Sequence, residues 1–314
     1  MAALASGKIH FDKTYRIFVK YCVPSAPYSN DTARSIQVLT HGAALDHSYW
    51  DFGPGYSYQH AAAAAGLATI SYDRLGIGKS DIPDPLFEVN SMSTLEILHG
   101  LNSVVRSGGL GRHYNKIIGV GHSLGSAVTQ TIPAKFPLDF DAIILTGFVS
   151  TPPPTITAGA LGFLKANDNP RLGHLPDGYI LPGVPTGVHL SFFKYPNFDP
   201  AILEESVNRM QTQALGELLA APGIIDEVDL SSLKNYSSPV LIVNGENDFS
   251  ACGFSCVTPR DMTKDTLKDG WPAADPILSD TMVHAGLGHN LNTHLSAEAV
   301  YNGMIGWVQK VESS

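Results

Sequence analysis

Cysteine numbers only 3 in this chain of 314 residues, and 20 lysines and arginines face 29 aspartates and glutamates for a net charge of −9. So few cysteines exclude a disulfide-dense scaffold. A chain of about 300 residues buries roughly three quarters of its unfolded surface, so its core needs neither disulfides nor a metal. Basic runs are missing, which argues against nucleic acid as a partner, because phosphate tracking begins with clustered lysine and arginine. Long apolar runs are missing too: none reaches the ~18 residues of a membrane helix. The 30 glycines and 21 prolines follow no period, and 44% of residues are hydrophobic, so collagen-like and disordered classes are out. An acidic globular protein remains, expected as a monomer or homodimer.

Cys252 and Cys256 lie close together in Ala251-Cys252-Gly253-Phe254-Ser255-Cys256. No further ligands at matching spacing suggest zinc. Either a short-loop disulfide or two unpaired thiols fits. The opening residues carry no charged n-region or apolar h-region, but Ala3-Leu4-Ala5 has the form of a signal cleavage site. With the sequons Asn30-Asp31-Thr32 and Asn235-Tyr236-Ser237, this favours secretion over the cytoplasm.

Short β-branched or apolar runs recur along the chain at 35–40, 67–72, 116–120, 142–146, 239–243 and 278–283, after an opening strand or hairpin within 10–23. Helix-length segments separate them at 60–66, 93–107, 124–136 and, at the end, 297–311. Near-continuous apolar strands alternating with helices predict an α/β fold, a mostly parallel central sheet with helices on both faces. The alternation breaks once, where Pro152, Pro153 and Pro154 introduce an aromatic-rich stretch with a helical segment at 202–221. Strand-like Val240–Val243 then resumes the pattern. We therefore expect a core of 1–149 and 239–314 with an inserted, mainly helical cap at 150–238.

Gly121-His122-Ser123-Leu124-Gly125 fits G-x-S-x-G between a strand and a helix, the turn that exposes a serine nucleophile. Glycines are needed there because a side chain would collide with the neighbouring strand or helix. The helix N-terminus would lie beneath an anion forming at Ser123. Such a serine needs a base, and the base an orienting acid. His289 lies just past the last candidate strand, at the sheet edge where open α/β folds gather their chemistry. His294 and His284 are its rivals. Asp248, past the strand 239–243, is the expected acid, with Glu246 second, and the order Ser123, Asp248, His289 follows. Backbone N–H groups of Ala43, after the strand ending at His41-Gly42, and of Leu124 are the expected oxyanion donors.

Two apparent nucleotide motifs fail. Gly76-Ile77-Gly78-Lys79-Ser80 has Asp73 where a phosphate loop needs glycine. Gly119-Val120-Gly121 meets Leu124 where a dinucleotide fingerprint needs its third glycine. No cofactor is expected.

Together, His41-Gly42, the stretch Asp73-Arg74-Leu75-Gly76-Ile77-Gly78-Lys79-Ser80, the 121–125 elbow, Asn244–Asp248 and Gly288-His289 resemble an α/β-hydrolase fold enzyme of the serine-nucleophile branch. The Gly245–Asp248 turn with its nearby cysteines, and Gly288-His289-Asn290-Leu291-Asn292, are similar to a group of fungal α/β hydrolases. Serine at 123 speaks against the epoxide hydrolase and haloalkane dehalogenase branches, which use aspartate. A proline- and aromatic-rich cap over a serine triad points to an apolar, water-excluding pocket for a neutral ester or lactone. His47, Tyr49, Trp50, His122, Phe148 and Phe163 are candidate lining residues, with ordinary packing an equal reading of His47, Tyr49 and Trp50. The same triad serves carbon–carbon hydrolysis, acyl transfer or a lyase step on a polyketide-like metabolite. A ligand-binding protein that keeps the fold without catalysis is the third reading.

Overall fold

A computed structural model describes residues 12–25, 34–152, 162–220 and 228–314. Its main sheet is built from β1 (Val19–Cys22), β2 (Ser35–Thr40), β5 (Ala68–Tyr72), β6 (Lys116–His122), β7 (Ala142–Thr146), β11 (Val240–Gly245) and β12 (Asp280–His284). The spatial order is β1-β5-β2-β6-β7-β11-β12. β1 runs antiparallel to β5, and all other pairs are parallel. A hairpin of β3 (Asp51–Gly53) and β4 (Tyr56–Ser57) stands apart.

The strands read as continuous apolar runs because both faces are covered. Successive side chains alternate between faces. Ile143, Leu145, Val240 and Ile242 enter one buried cluster with Leu95 and Leu98 of α2 (Ser91–Arg106) and Val128 and Ile132 of α3 (Leu124–Lys135). Ile144, Leu241 and Val243 point the other way, to Tyr58 and Ala62 of α1 (Tyr58–Ala64) and to Val300, Tyr301 and Trp307 of the last helix, Ala297–Ser313. Burying each such side chain is worth about 1.5–3 kcal/mol, so the two layers fix the sheet firmly.

The chain leaves β2 towards β5 on one side and leaves β6 towards β7 on the other. The loops after β2 and β6 therefore diverge and open a crevice at the carboxyl edge. Thr40 at the end of β2 pairs with Gly121 at the end of β6, so His41–Ala44 and Ser123 emerge side by side.

Between β7 and β11 the expected insertion departs from the mainly helical reading. It holds α4 (Pro185–Phe192), α5 (Pro200–Arg209) and α6 (Leu215–Ala220), but also an antiparallel sheet of β8 (Phe163–Lys165), β9 (Tyr179–Pro182) and β10 (Gln213–Ala214). The helix expected over 202–221 is interrupted. Gln213 and Ala214 pair with Ile180 and Tyr179, and Gln211 N–H donates to Ala44 O at 2.9 Å. Residue 221 lies outside the described residues, as do Pro153, Pro154, the 30–32 sequon and residues 1–11.

The opening segment also differs from expectation, since only Val19–Cys22 pairs with the sheet. Asp12–Phe18 follows the 73–81 loop instead: Asp73 N–H donates to Phe18 O, and Asp81 N–H to Arg16 O. After β11 come two helices not expected from the pattern, the single turn α7 (Phe249–Cys252) and α8 (Met262–Gly270); the C-terminal helix is α9. Cys252 and Cys256 are joined in a disulfide, and Cys22 is free. Among the described residues no helix is long and apolar enough to cross a membrane.

Candidate active site

Ser123 sits between β6 and α3 with φ 56° and ψ −121°. That left-handed backbone is disfavoured for a residue with a side chain, by roughly 1–3 kcal/mol. Close packing enforces it. A Cβ on Gly121 would lie 2.4 Å from Ser126 Cα, and one on Gly125 would lie 2.3 Å from Thr40 O. Only glycine lets strand and helix approach this closely. Ser123 N–H is tied to Thr146 O at 2.9 Å. Ser123 stands at the N-cap of α3, yet its hydroxyl makes no capping bond. Serine usually caps at such a place, so here Oγ is left free.

His289 follows β12 and Asp248 follows β11, both at the carboxyl edge. His289 Nδ1 lies 2.9 Å from Asp248 Oδ1 and 2.8 Å from Oδ2. A carboxylate only accepts, so Nδ1 carries a proton, which in the neutral ring leaves the lone pair on Nε2. Asp248 is fully buried, caps α7, and accepts Ala251 N–H at 2.7 Å.

Ser123 and His289 converge around His122. A Cβ on Gly42 would lie 3.0 Å from Ser123 Cβ and 3.3 Å from His122 Cδ2, while one on Gly147 would lie 2.9 Å from His122 Cε1 and 3.0 Å from His289 Cε1. No hydrogen bond joins Ser123 to His289 among the described residues. Such bonds commonly tighten only when substrate arrives. The N–H groups of Ala43 and Leu124 are also without hydrogen-bond partners among the described residues.

Of the other histidines of this edge, His294 and His41 are occupied on both ring nitrogens. His294 Nε2 accepts N–H from Gly288 (3.0 Å) and Lys194 (3.1 Å), while Nδ1 donates to Asn290 O (2.9 Å). It ties the His289 loop to the insertion, and burial depresses its pKa to about 4. His284 is half-buried with Nε2 unpartnered, and Glu246 does not touch His289. His41 accepts Arg74 N–H on Nε2 (3.1 Å) and so donates from Nδ1 to Gly42 O (2.9 Å). Burial, with the Arg74 charge, pulls its pKa down to about 3. Burial, then the neighbouring His289, holds His122 well below its ordinary value.

The expected pocket residues scatter. His122 does sit at the centre, with Tyr49 stacked on it at 4.3 Å and His289 at 4.8 Å. Phe163 packs within the insertion's apolar cluster, which also covers Ala44. Phe148 packs on the sheet core, its N–H donating to Asn244 Oδ1. Two expectations need correction. Trp50 is buried in the core beside Tyr58, and His47 turns to Asp73, whose Oδ1 receives His47 N–H at 2.8 Å and contacts Nδ1 at 2.6 Å. A buried carboxylate at 73 needs those donors. Burial alone would raise its pKa, and the His47 and Lys79 hydrogen bonds hold it low. Asp46, His47 and Asp73 lie close enough to hold a metal ion, yet their carboxylates are already satisfied by side-chain and backbone donors. Phe192 was not expected at the site; it stacks on His289 at 5.7 Å.

The chain matches the alpha/beta hydrolase family over residues 37–302, and it belongs to that family. Similar solved structures include an esterase from Thermogutta terrifontis (18% identity, 94% of this chain and 93% of that one, TM-score 0.64). A soluble variant of a Saccharomyces cerevisiae monoglyceride lipase is also similar (16%, 96% and 94%, TM-score 0.66). So is a monoacylglycerol lipase from Paleococcus ferrophilus (14%, 95% and 100%, TM-score 0.62). At such identities these likenesses show the shared fold. No match is found among curated proteins.

Two outcomes are expected. Gly125→Ala should cost about 3 kcal/mol or more, read by urea unfolding, since Thr40 O is backbone and cannot yield. Second, His41, His122 and His294 are held neutral in the fold but titrate near 6.5 when unfolded. Their contribution is complete above about pH 6.5 and lost as pH falls towards 4. Unfolding near pH 5 should take up protons, so stability should fall as the pH drops through this range. Denaturant midpoints between pH 7.5 and 5 that stay level would contradict this.

Proposed function

We propose that the protein is a serine hydrolase that cleaves a carboxylic ester or lactone of a small to medium apolar, neutral molecule through an acyl-serine. One observation carries the reading. An unbonded serine hydroxyl on a strained elbow and a histidine whose Nδ1 is held by a buried aspartate both sit next to the His122 ring. In this reading His289 Nε2 takes the Ser123 proton as Oγ attacks the ester carbonyl. Asp248 fixes the tautomer and stabilises the imidazolium. The free N–H groups of Ala43 and Leu124, with the amino end of α3, receive the carbonyl oxygen as it becomes negative. His289 then returns the proton to the departing alkoxide. Water, deprotonated by His289, releases the acid and restores Ser123.

The neighbourhood suits this. His122 stays neutral, so it adds no charge against the imidazolium beside it. Phe192, Ala44 and the insertion's apolar cluster favour an uncharged acyl or alkyl group. The disulfide and the exposed Asn235 support secretion.

A fluorophosphonate probe should add once to the protein and not at all to Ser123→Ala, read by intact mass. Asp248→Asn should lower kcat by about 10⁴ on a p-nitrophenyl ester while the fold persists. Hydrolysis in ¹⁸O water should place the label in the acid. An unlabelled native protein, inert to an ester and lactone panel, would remove the reading.

A further inference from the structure

A buried ion pair links the insertion to the β2 loop that lies against Ser123. Arg74 is fully buried, and its Nη1 is paired with Glu217 of α6, itself 2% exposed. Its Nη2 donates to Gly42 O at 3.3 Å, the same oxygen that receives His41 Nδ1–H. The Gly42–Ala43 peptide is trans, since the only cis bonds among the described residues precede Pro196 and Pro259. In a trans peptide the C=O and the following N–H point in opposite directions. Two donors gripping Gly42 O therefore turn Ala43 N–H the other way, and Gly42 itself packs against Ser123 Cβ.

The pair explains little as a stabiliser. Arg74 Nε and Glu217 Oε2 are buried without partners. Two charges removed from water with incomplete hydrogen bonding gain little over apolar side chains of the same size. A positional task accounts for them better. The insertion also reaches this loop through Gln211 N–H on Ala44 O and through the apolar cluster over Ala44. Those contacts hold the Ala44–Leu45 peptide further along the loop, and among the described residues the insertion reaches Gly42 O only through the Glu217–Arg74 link.

We propose that Arg74, seated by Glu217, is a positioning residue that fixes the Gly42–Ala43 peptide as an oxyanion donor, so that docking of the insertion completes the site. This rests on the serine-hydrolase reading above. Two variants remove the brace differently. Arg74→Lys keeps a cation for Glu217 but lacks the fork that serves both partners. The double variant Arg74→Met/Glu217→Leu removes both charges and keeps the volume. Each is compared with the native protein on a p-nitrophenyl ester and with a trifluoromethyl ketone, which forms a charged tetrahedral adduct on serine.

Both variants should lose at least tenfold in kcat with KM within about twofold, and should bind the ketone more weakly by the same factor. Backbone hydrogen exchange at Ala43 should quicken at least tenfold. Folded variants with native kcat and exchange would overturn the proposal, as would a loss confined to KM. If neither variant folds, the pair is a folding element and the proposal falls. A native protein that neither hydrolyses esters nor takes up a fluorophosphonate defeats the hydrolase reading instead; exchange at Ala43 then still reports whether the brace exists.

Discussion

A single strained residue organises the carboxyl edge of the sheet. Ser123 holds a left-handed backbone that its side chain disfavours, and the cost is met by packing on both sides. β6 and α3 approach so closely that Gly121 has no room for a Cβ, and α3 meets the end of β2 so closely that Gly125 has none. Because the turn is over-determined, the serine side chain is presented outward and its own N–H is occupied by Thr146 O. Everything else at the edge is arranged relative to that point. The β2 loop lies against it, the β12 loop brings His289 to the neighbouring His122 ring, and α3 directs its positive end beneath it.

The loops around the elbow are short of regular structure and are held instead by neutral histidines and buried charge. His41 and His294 each use both ring nitrogens on backbone groups. Each does for a loop what a ladder of hydrogen bonds does for a strand. His294 accepts two N–H groups on one nitrogen, one from the His289 loop and one from the insertion, so a single ring sets the spacing between them. Such rings work only while unprotonated, and their burial keeps them so.

Much of this was legible in the sequence, for reasons that can be stated. Ala142–Thr146 reads as a strand without ambiguity because both of its faces are buried, so every residue is apolar or threonine. The elbow reads clearly because its glycines answer a steric demand that is local in the chain. Asp248 and His289 were placed by their distance past strand ends, and the structure brings them into direct contact. The insertion resisted, since Gln213–Ala214 forms a strand only because Tyr179–Ile180 lies alongside, a partner far back in the chain. Trp50 and His47 follow the β2 loop closely enough to be pocket candidates or ordinary packing, and their side chains turn to the core and to Asp73. Glu217 gives no signal at all; its role depends on Arg74, and nothing in the spacing of the two announces it.

The insertion occupies the β7–β11 crossover, a connection any parallel pair must make. Lengthening a loop is inexpensive, about 0.6 kcal/mol per doubling. On those grounds this crossover could be exchanged among relatives almost freely, each new version bringing another specificity to an unchanged sheet. The buried guanidinium of Arg74 restricts that freedom. A replacement that fits the surface but carries no carboxylate at this depth strands a cation in the interior, at a cost of several kcal/mol. Modular recombination at this locus is thus filtered by one ionic requirement, met here by Glu217.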